Sequence, residues 1–283
     1  MLLGSASMDL LKQSGESLAG RIARVDLGPL DVLETVGAAP HMLWARGGFP
    51  ESFTAATDRD SMLWRKDFIR TYLERDIPQL GPRVPAETLE RLWTMLAHNQ
   101  GGLLNASRLA SALMLSAQTT TRYVDLMVNL LLVRRLQPFH PNLGKRIVKS
   151  PKVYVRDSGL LHTLLGIGDF NNLSGHPVVG ASWECFAIEN LLAAAPALTI
   201  PSFYRTAGGA EIDLLLEIPG HGTWAIDIKR GSSTRPEKGF HLACDDVKPS
   251  RKFALNGGSE RYPIGNGVEA IGLELLSSTL ATL

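Results

Sequence analysis

Two aspartates and a lysine interrupt two apolar runs between residues 208 and 231, which read GGAEIDLLLEIPGHGTWAIDIKRG. Side chains alternate across a strand, so Asp227 and Lys229 share one face of the second run. If the runs pair across the Pro-Gly-His-Gly turn, the same face also collects Asp213. Burying two carboxylates side by side costs free energy unless a cation neutralises them. The opposite face of the first run would carry Ile212, Leu214 and Leu216.

The cation can be Lys229 itself or a divalent metal ion, since Mg²⁺ commonly binds one or two carboxylates plus water. Glu184 lies upstream in a helical pattern with apolar residues four and seven positions later, so we expect it to face the sheet. The candidate metal ligands for Mg²⁺ or Mn²⁺ are therefore Glu184, Asp213 and Asp227. Lys229 would stabilise charge developing on a phosphate. The alternative is a partly buried Asp–Lys ion pair without a metal.

Residues 157–283 position these side chains. Strand-like and helix-like stretches alternate there, which predicts an α/β domain. The helix is VVGASWECFAIENLLAAA, and the strands lie in SFYRTAGGAEIDLLLEI, TWAIDIKRG and SRKFALNGG.

Residues 86–156 predict a winged helix-turn-helix, with three short helices followed by two hairpin strands. Asn105 or Ser107 would cap the second helix, and the third would begin near Ser116. The segment 134–156 holds seven basic residues and no acidic one. The alternatives to DNA contact are a solvated hairpin, an intramolecular contact with an acidic surface, or a protein-binding module. The candidate nucleic-acid contacts are Gln118, Thr119, Thr120, Arg122, Lys145, Arg146, Lys149 and Lys152.

Residues 1–81 contain a short apolar start and a strongly amphipathic helix over residues 58–78. One strand and a few helices form little sheet of their own, so this region resembles the end of something larger.

The chain as a whole has 283 residues, a net charge of +1, 45% hydrophobic and 20% charged residues, which is typical of a globular protein. Its two distant cysteines predict neither a disulfide framework nor a zinc site, and they fit a reducing cytoplasm. The longest apolar stretches fall far short of the roughly 20 residues that a membrane helix needs.

The combination of Glu184, Asp213 and Asp227-Ile228-Lys229 resembles the restriction-endonuclease-like PD-(D/E)xK fold. Asp227 stands where that pattern usually has glutamate, and Ile212 replaces its proline. More specifically, the chain resembles domain of unknown function 4143, which follows the ATPase core of a prokaryotic AAA+ family. This likeness covers KRIVKSPKVYVRDSGLLHTLLG, VGASWECFAIENLL and RTAGGAEIDLLLE, and extends to GGFPESF and WRKDFIRTYLERDIPQLG.

The resemblance implies that residues 1–81 are a remnant of the ATPase core, from the sensor-1 strand into a lid-like helical region. Ser5 and Arg21 would then be relics of a nucleotide site. The chain lacks the G-x-x-x-x-G-K-[ST] loop that cradles phosphates, so we expect no ATP hydrolysis and no ATP cofactor in this chain alone. A misassigned start codon would explain the missing part more simply than a true truncation.

Three functions follow as hypotheses. The first is a DNA-associated protein in which a winged helix serves a metal-dependent nuclease-like domain. The second is a non-catalytic protein-interaction module from a truncated ATPase, and the third is a degraded product without activity. We expect a cytoplasmic protein without a membrane partner, and the sequence sets no oligomeric state.

Overall fold

The computed structural model describes residues 27–35, 37, 40–80, 84–139, 147–231 and 235–283, and within them the chain is a mixed α/β structure. Four residues singled out from the sequence lie outside this range, namely Ser5, Arg21, Lys145 and Arg146. No helix in the described ranges is long and apolar enough to cross a bilayer.

Helices form the first half of the described chain. The predicted amphipathic helix over residues 58–78 is present, but a π-helical turn at Tyr72–Asp76 interrupts it. Asn105, one of the two expected caps, caps the helix that follows it, and Ser116 caps the next helix, which begins near that residue as expected. Each accepts a hydrogen bond from a backbone N–H three residues later. The helices are α1 Pro40–Arg46, α2 Pro50–Phe53, α3 Asp58–Thr71, α4 Ile77–Leu80, α5 Ala86–His98, α6 Ala106–Leu113 and α7 Ala117–Asn129.

The second half contributes most of an eight-stranded mixed sheet, in the order β2-β1-β3-β4-β5-β6-β8-β7. The strands are β1 Val133–Pro138, β2 Lys152–Val155, β3 Ile200–Arg205, β4 Glu211–Ile218, β5 Gly222–Ile228, β6 Arg251–Asn256, β7 Arg261–Gly265 and β8 Val268–Gly272. The remaining helices are α8 Ser158–Leu164, α9 Phe170–Ser174, α10 Val179–Ala194, α11 Lys238–Val247 and α12 Leu273–Ala281.

The basic hairpin β1–β2 belongs to this same sheet. Its two strands are antiparallel, with Val133 opposite Val155, and β1 also pairs in parallel with β3 through Gln137 and Ser202. Residues of the segments 86–156 and 157–283 therefore share one continuous sheet.

Two apolar cores cover the two faces of the central strands. Leu214 and Leu216 pack into the core that includes α10 and α12, whereas Leu215 packs with Phe240 of α11. The prediction that Ile212 lies on the same face as Leu214 is wrong, since Ile212 belongs to the α11 core.

A shift in the pairing of β3 with β4 explains the change of face. Ser202 lies opposite Leu215, but Tyr204 lies opposite Ile212, so β4 has one extra residue between these pairs. Such a β-bulge bends the strand and redirects a side chain. Asp213 lies in the bulged segment, which sets the direction of this carboxylate.

A buried hydrogen-bond network joins α1, α8 and α10. The ring of His162 contacts the Ala45 carbonyl oxygen at 3.0 Å through Nδ1 and the Ser182 hydroxyl at 2.8 Å through Nε2. The same hydroxyl accepts a 3.0 Å hydrogen bond from the indole of Trp44. His162 is 1% exposed, so this network lies in the interior.

Candidate functional site

Helix α10 delivers Glu184 to the sheet. Ile188 and Leu191, four and seven residues further along the helix, are fully buried against the strands, so Glu184 points the same way. Its Oε1 accepts hydrogen bonds from Lys152 Nζ at 3.0 Å and from the Tyr154 hydroxyl at 2.6 Å. Burial, and then the nearby charge of Asp213, raises the pKa of Glu184.

Asp213 is the central carboxylate of the cluster. Its Oδ2 accepts a 2.9 Å hydrogen bond from the backbone N–H of Ile228 on the neighbouring strand. The same oxygen lies 3.7 Å from Lys229 Nζ, while Oδ1 lies 3.9 Å from Lys152 Nζ. Asp213 thus lies between two ammonium groups.

Asp227 and Lys229 come from the end of β5, where the sequence places them on one face. Lys229 Nζ lies 3.3 Å from Asp227 Oδ1, and Asp227 is only 5% exposed. The other oxygen, Oδ2, is buried and has no hydrogen-bond partner among the described residues. Burial and then Asp213 raise the pKa of Asp227 to about 6. Burial opposes the charge of Lys229, yet Asp213 and Asp227 raise its pKa.

Lys152 occupies an interior position that the sequence did not indicate. The sequence-based prediction that Lys152 contacts nucleic acid is wrong for this structure, because all four residues of β2 are buried and Lys152 is 3% exposed. Its Nζ lies 3.0 Å from Glu184 Oε1, 3.2 Å from Glu211 Oε1 and 3.9 Å from Asp213 Oδ1. These carboxylates raise the pKa of Lys152 even though burial opposes its charge.

The charges of the cluster do not balance. Four carboxylates face two ammonium groups and the guanidinium of Arg205, which lies 3.5 Å from Glu211 Oε2, so one negative charge is in excess if all are ionised. Among the described residues, there is no group of three or more Asp, Glu, His or Cys side chains that could hold a metal ion. Asp213 and Asp227 together still fit Mg²⁺ or Mn²⁺, because these ions bind one or two carboxylates and complete their coordination with water. The orphaned oxygen of Asp227 is the acceptor that such an ion would satisfy.

Most of the described basic segment is neutralised inside the protein. Arg134 donates to Glu189 Oε2 at 2.8 Å through Nη2, Arg156 donates to the same oxygen at 2.9 Å through Nε, and Arg135 pairs with Asp125 at 2.5 Å. Burial opposes ionisation of Glu189, but the two arginines lower its pKa. For these residues the structure follows the intramolecular alternative. Lys149 is exposed.

The start of α7 offers two of its four candidate contacts to solvent. Gln118 and Arg122 are exposed, and Thr119 is half-buried with its hydroxyl 2.8 Å from the Ser116 hydroxyl. Thr120 is fully buried and donates to the Ser116 carbonyl oxygen at 3.1 Å. It lies on the inward stripe of the helix with Val124, which is why its side chain does not face outward.

Sequence reasoning missed Lys152, Tyr154 and Glu211 as members of the cluster. Strand alternation does carry a signal, because residues 152 and 154 must share a face of β2. Whether this face meets the acidic cluster depends on how β2 packs against α10, and the sequence of β2 alone does not indicate that packing.

Two family models match this chain. Residues 38–171 match "Domain of unknown function (DUF8612)", and residues 179–276 match "Domain of unknown function (DUF4143)". Two curated relatives, "Uncharacterized protein Mb2031c" of Mycobacterium bovis and "Uncharacterized protein Rv2008c" of Mycobacterium tuberculosis, are each 43% identical over 282 residues, or 99% of this chain. The chain spans 63% of the length of these relatives. No solved structure gives a significant match. The resemblance to domain of unknown function 4143 is therefore confirmed for residues 179–276.

Proposed function

We propose that the chain is a DNA-associated protein whose C-terminal part is a metal-dependent, nuclease-like domain of the PD-(D/E)xK type. The observation that carries the proposal is the buried, unpartnered Oδ2 of Asp227, which lies in a cluster with excess negative charge. A buried carboxylate oxygen without a donor is costly, and a divalent cation held with Asp213 would remove that cost.

The protein's own residues would act as follows. Asp213 and Asp227 would hold the cation, and Asp213 is kept in place by the Ile228 N–H. Bound Mg²⁺ or Mn²⁺ would supply Lewis-acid polarisation of a phosphodiester and a lowered pKa for water. The Lys229 side chain is 39% exposed, so its ammonium group can contact a phosphate and stabilise the charge that develops there. Glu184 lies on the far side of Asp213 and would orient Lys152.

DNA binding would involve the helices α5–α7 and the hairpin β1–β2, which we propose to act as a winged helix. The exposed residues Gln118, Arg122 and Lys149 support this proposal because they are free to reach phosphates or base edges. Thr119 would help to hold Gln118 in place, because its hydroxyl is hydrogen-bonded to the hydroxyl of the capping residue Ser116. Lys145 and Arg146 lie outside the described residues, and we include them in the proposed DNA surface.

We also propose that the chain is the C-terminal part of an AAA+ family ATPase. The match of residues 179–276 to DUF4143 and the greater length of the curated relatives support this relationship. Ser5 and Arg21 would be relics of its nucleotide site. This chain would not hydrolyse ATP by itself, because its sequence has no phosphate-binding loop.

A second candidate is a non-catalytic protein-interaction module, and the buried ion pairs favour it. Lys152 already neutralises part of the acidic cluster, and Glu189 already neutralises Arg134 and Arg156. Such internal pairs maintain a fold without a metal or DNA.

The test is DNA cleavage in Mn²⁺ or Mg²⁺ by the parent protein and by Asp213→Asn, Asp227→Asn and Lys229→Met. Asp245→Asn is the matched control, because Asp245 is exposed and lies away from the ion pairs of the cluster. We expect cleavage by the parent and the control only. Equal activity in all five preparations would indicate a contaminating nuclease, and its absence in the folded parent would favour the interaction module.

Binding is measured separately, by fluorescence anisotropy of duplex DNA over a range of salt concentrations. The affinity of a DNA-binding protein falls steeply with salt, because each phosphate contact releases counterions. Negligible DNA affinity at low salt would refute the DNA-associated function.

A further inference from the structure

Lys152 divides the acidic cluster into two parts. On one side its ammonium group lies among Glu184, Glu211 and one oxygen of Asp213. On the other side lie the second oxygen of Asp213, Asp227 and Lys229. The two lysines are therefore not equivalent members of one ion-pair network.

We propose that Lys152 is a resident cation that fills a place which a divalent metal ion would otherwise take between Glu184 and Asp213. The number of metal ions that the cluster binds is thereby reduced by one. The inference deepens the proposed function, since a metal site at Asp213 and Asp227 would then be a single-ion site.

The first support is the fixed position of the ammonium group. The Lys152 side chain is 4% exposed, whereas that of Lys229 is 39% exposed. Lys152 begins strand β2, which pairs with β1, and its Nζ also lies 5.5 Å from the centre of the Phe203 ring. Lys229 can move into solvent, but Lys152 has no such path.

The second support is the arrangement of oxygen atoms around Lys152 Nζ. Three carboxylates from two elements, Glu184 of α10 and Glu211 and Asp213 of β4, lie within 3.9 Å of Lys152 Nζ. Tyr154 donates to the same Glu184 oxygen at 2.6 Å and so fixes that carboxylate toward the ammonium group. Carboxylate oxygens converging on one cationic centre are the ligand type that Mg²⁺ and Mn²⁺ prefer.

The third support is the charge of the cluster. With Lys152 present, four carboxylates, two ammonium groups and the guanidinium of Arg205 leave one negative charge. Without Lys152 two negative charges stay, which one divalent ion would neutralise; Glu184 loses its ion pair, whereas Glu211 keeps Arg205. Buried carboxylates without a counter-ion are strongly disfavoured, so that site should then recruit a cation from solution.

The test counts bound Mn²⁺ by electron paramagnetic resonance and isothermal titration calorimetry, in the full chain. Lys152→Met keeps the length of the apolar stem and removes the charge. Lys66→Met is the control, because Lys66 is an exposed lysine of α3 that belongs neither to the cluster nor to the proposed DNA surface. We expect Lys152→Met to bind one Mn²⁺ more than the parent, and Lys66→Met to bind the same number as the parent.

The two proposals fail in different ways. The parent stoichiometry tests the metal site of the proposed function, and a parent without bound Mn²⁺ would refute that site. The difference between Lys152→Met and the parent tests the role of Lys152, and equal stoichiometries would overturn it. A parent without metal and a variant with one ion would support the role of Lys152 alone.

A double variant covers a loss of folding in Lys152→Met. Combining Lys152→Met with Glu184→Gln removes one charge of each sign, and we expect this protein to fold without metal and to lose the additional ion. If Lys152→Met alone is unfolded in chelator, added Mn²⁺ should restore its melting transition. Failure of Mn²⁺ to restore it would overturn the inference.

Discussion

Acidification should destabilise the protein through His162, the buried imidazole that links α1, α8 and α10. Burial lowers the pKa of His162 from 6.5 to about 4, and the positive charges of Arg65 and His176 act in the same direction. Both ring nitrogens have partners, the Ala45 carbonyl and the Ser182 hydroxyl, and the neutral ring can donate to one of them and accept from the other. A second proton on the ring would disrupt this arrangement.

The size of the effect follows from linkage. Between pH 6.5 and 4 the unfolded chain binds a proton at this histidine and the folded chain does not, so stability falls as the pH falls. A pKa difference of about 2.5 units corresponds to about 3 kcal/mol of unfolding free energy lost by pH 4. Asp227 acts in the opposite direction, because its pKa is raised to about 6 and protonation relieves its buried charge. This opposing contribution is about 2 kcal/mol, so the effect of His162 has to be measured as a difference between the parent and a variant that lacks the imidazole.

Urea unfolding in chelator, at neutral pH and near pH 4, separates the two groups. His162→Gln retains a donor and an acceptor but cannot titrate, so its unfolding free energy should rise on acidification relative to the parent by about 3 kcal/mol. His98→Gln is the control, because His98 is exposed. Parallel pH profiles for the parent and His162→Gln would refute the assignment of a strongly lowered pKa.

Three further predictions concern the other charged groups. Glu189→Gln should cost about 3–5 kcal/mol in urea unfolding, because it leaves two largely buried arginines without their carboxylate, and a loss below 1 kcal/mol would contradict this. Asp227→Asn should raise the melting temperature in chelator, since it removes a buried charge, and should abolish stabilisation by Mn²⁺; an unchanged Mn²⁺ shift would place the ion elsewhere. Arg122→Ala and Lys149→Ala should each reduce the salt slope of DNA binding by about 1, whereas an unchanged slope would remove that residue from the DNA surface.

The sequence predicts that Asp227, Lys229 and Glu184 come together, because the signals that place these residues are local. Strand alternation and a short turn place Asp227 and Lys229 on one face, and helical periodicity turns Glu184 toward the sheet. Helix starts are local for the same reason: Asn105 is confirmed as the cap of α6, and the predicted start of α7 near Ser116 is confirmed. These features depend only on neighbouring residues.

The features that could not be predicted depend on contacts distant in the sequence. The basic run is not a free surface, because Glu189 of α10 pairs with Arg134 and Arg156 over more than thirty positions. The position of Asp213 depends on a bulge that arises from the pairing of β4 with β3. The charge pattern of a single segment predicts neither these ion pairs nor the bulge.

The acidic cluster crosses the border between the two family matches. Lys152 and Tyr154 lie in residues 38–171, while the carboxylates that they contact lie in residues 179–276. The continuous sheet brings the two sets together, because β1 pairs with β2 on one side and with β3 on the other. A fragment confined to residues 179–276 would keep Glu184 but lose both groups that donate to it. We therefore expect the charge of the cluster, and any metal stoichiometry that follows from it, to be a property of both segments together.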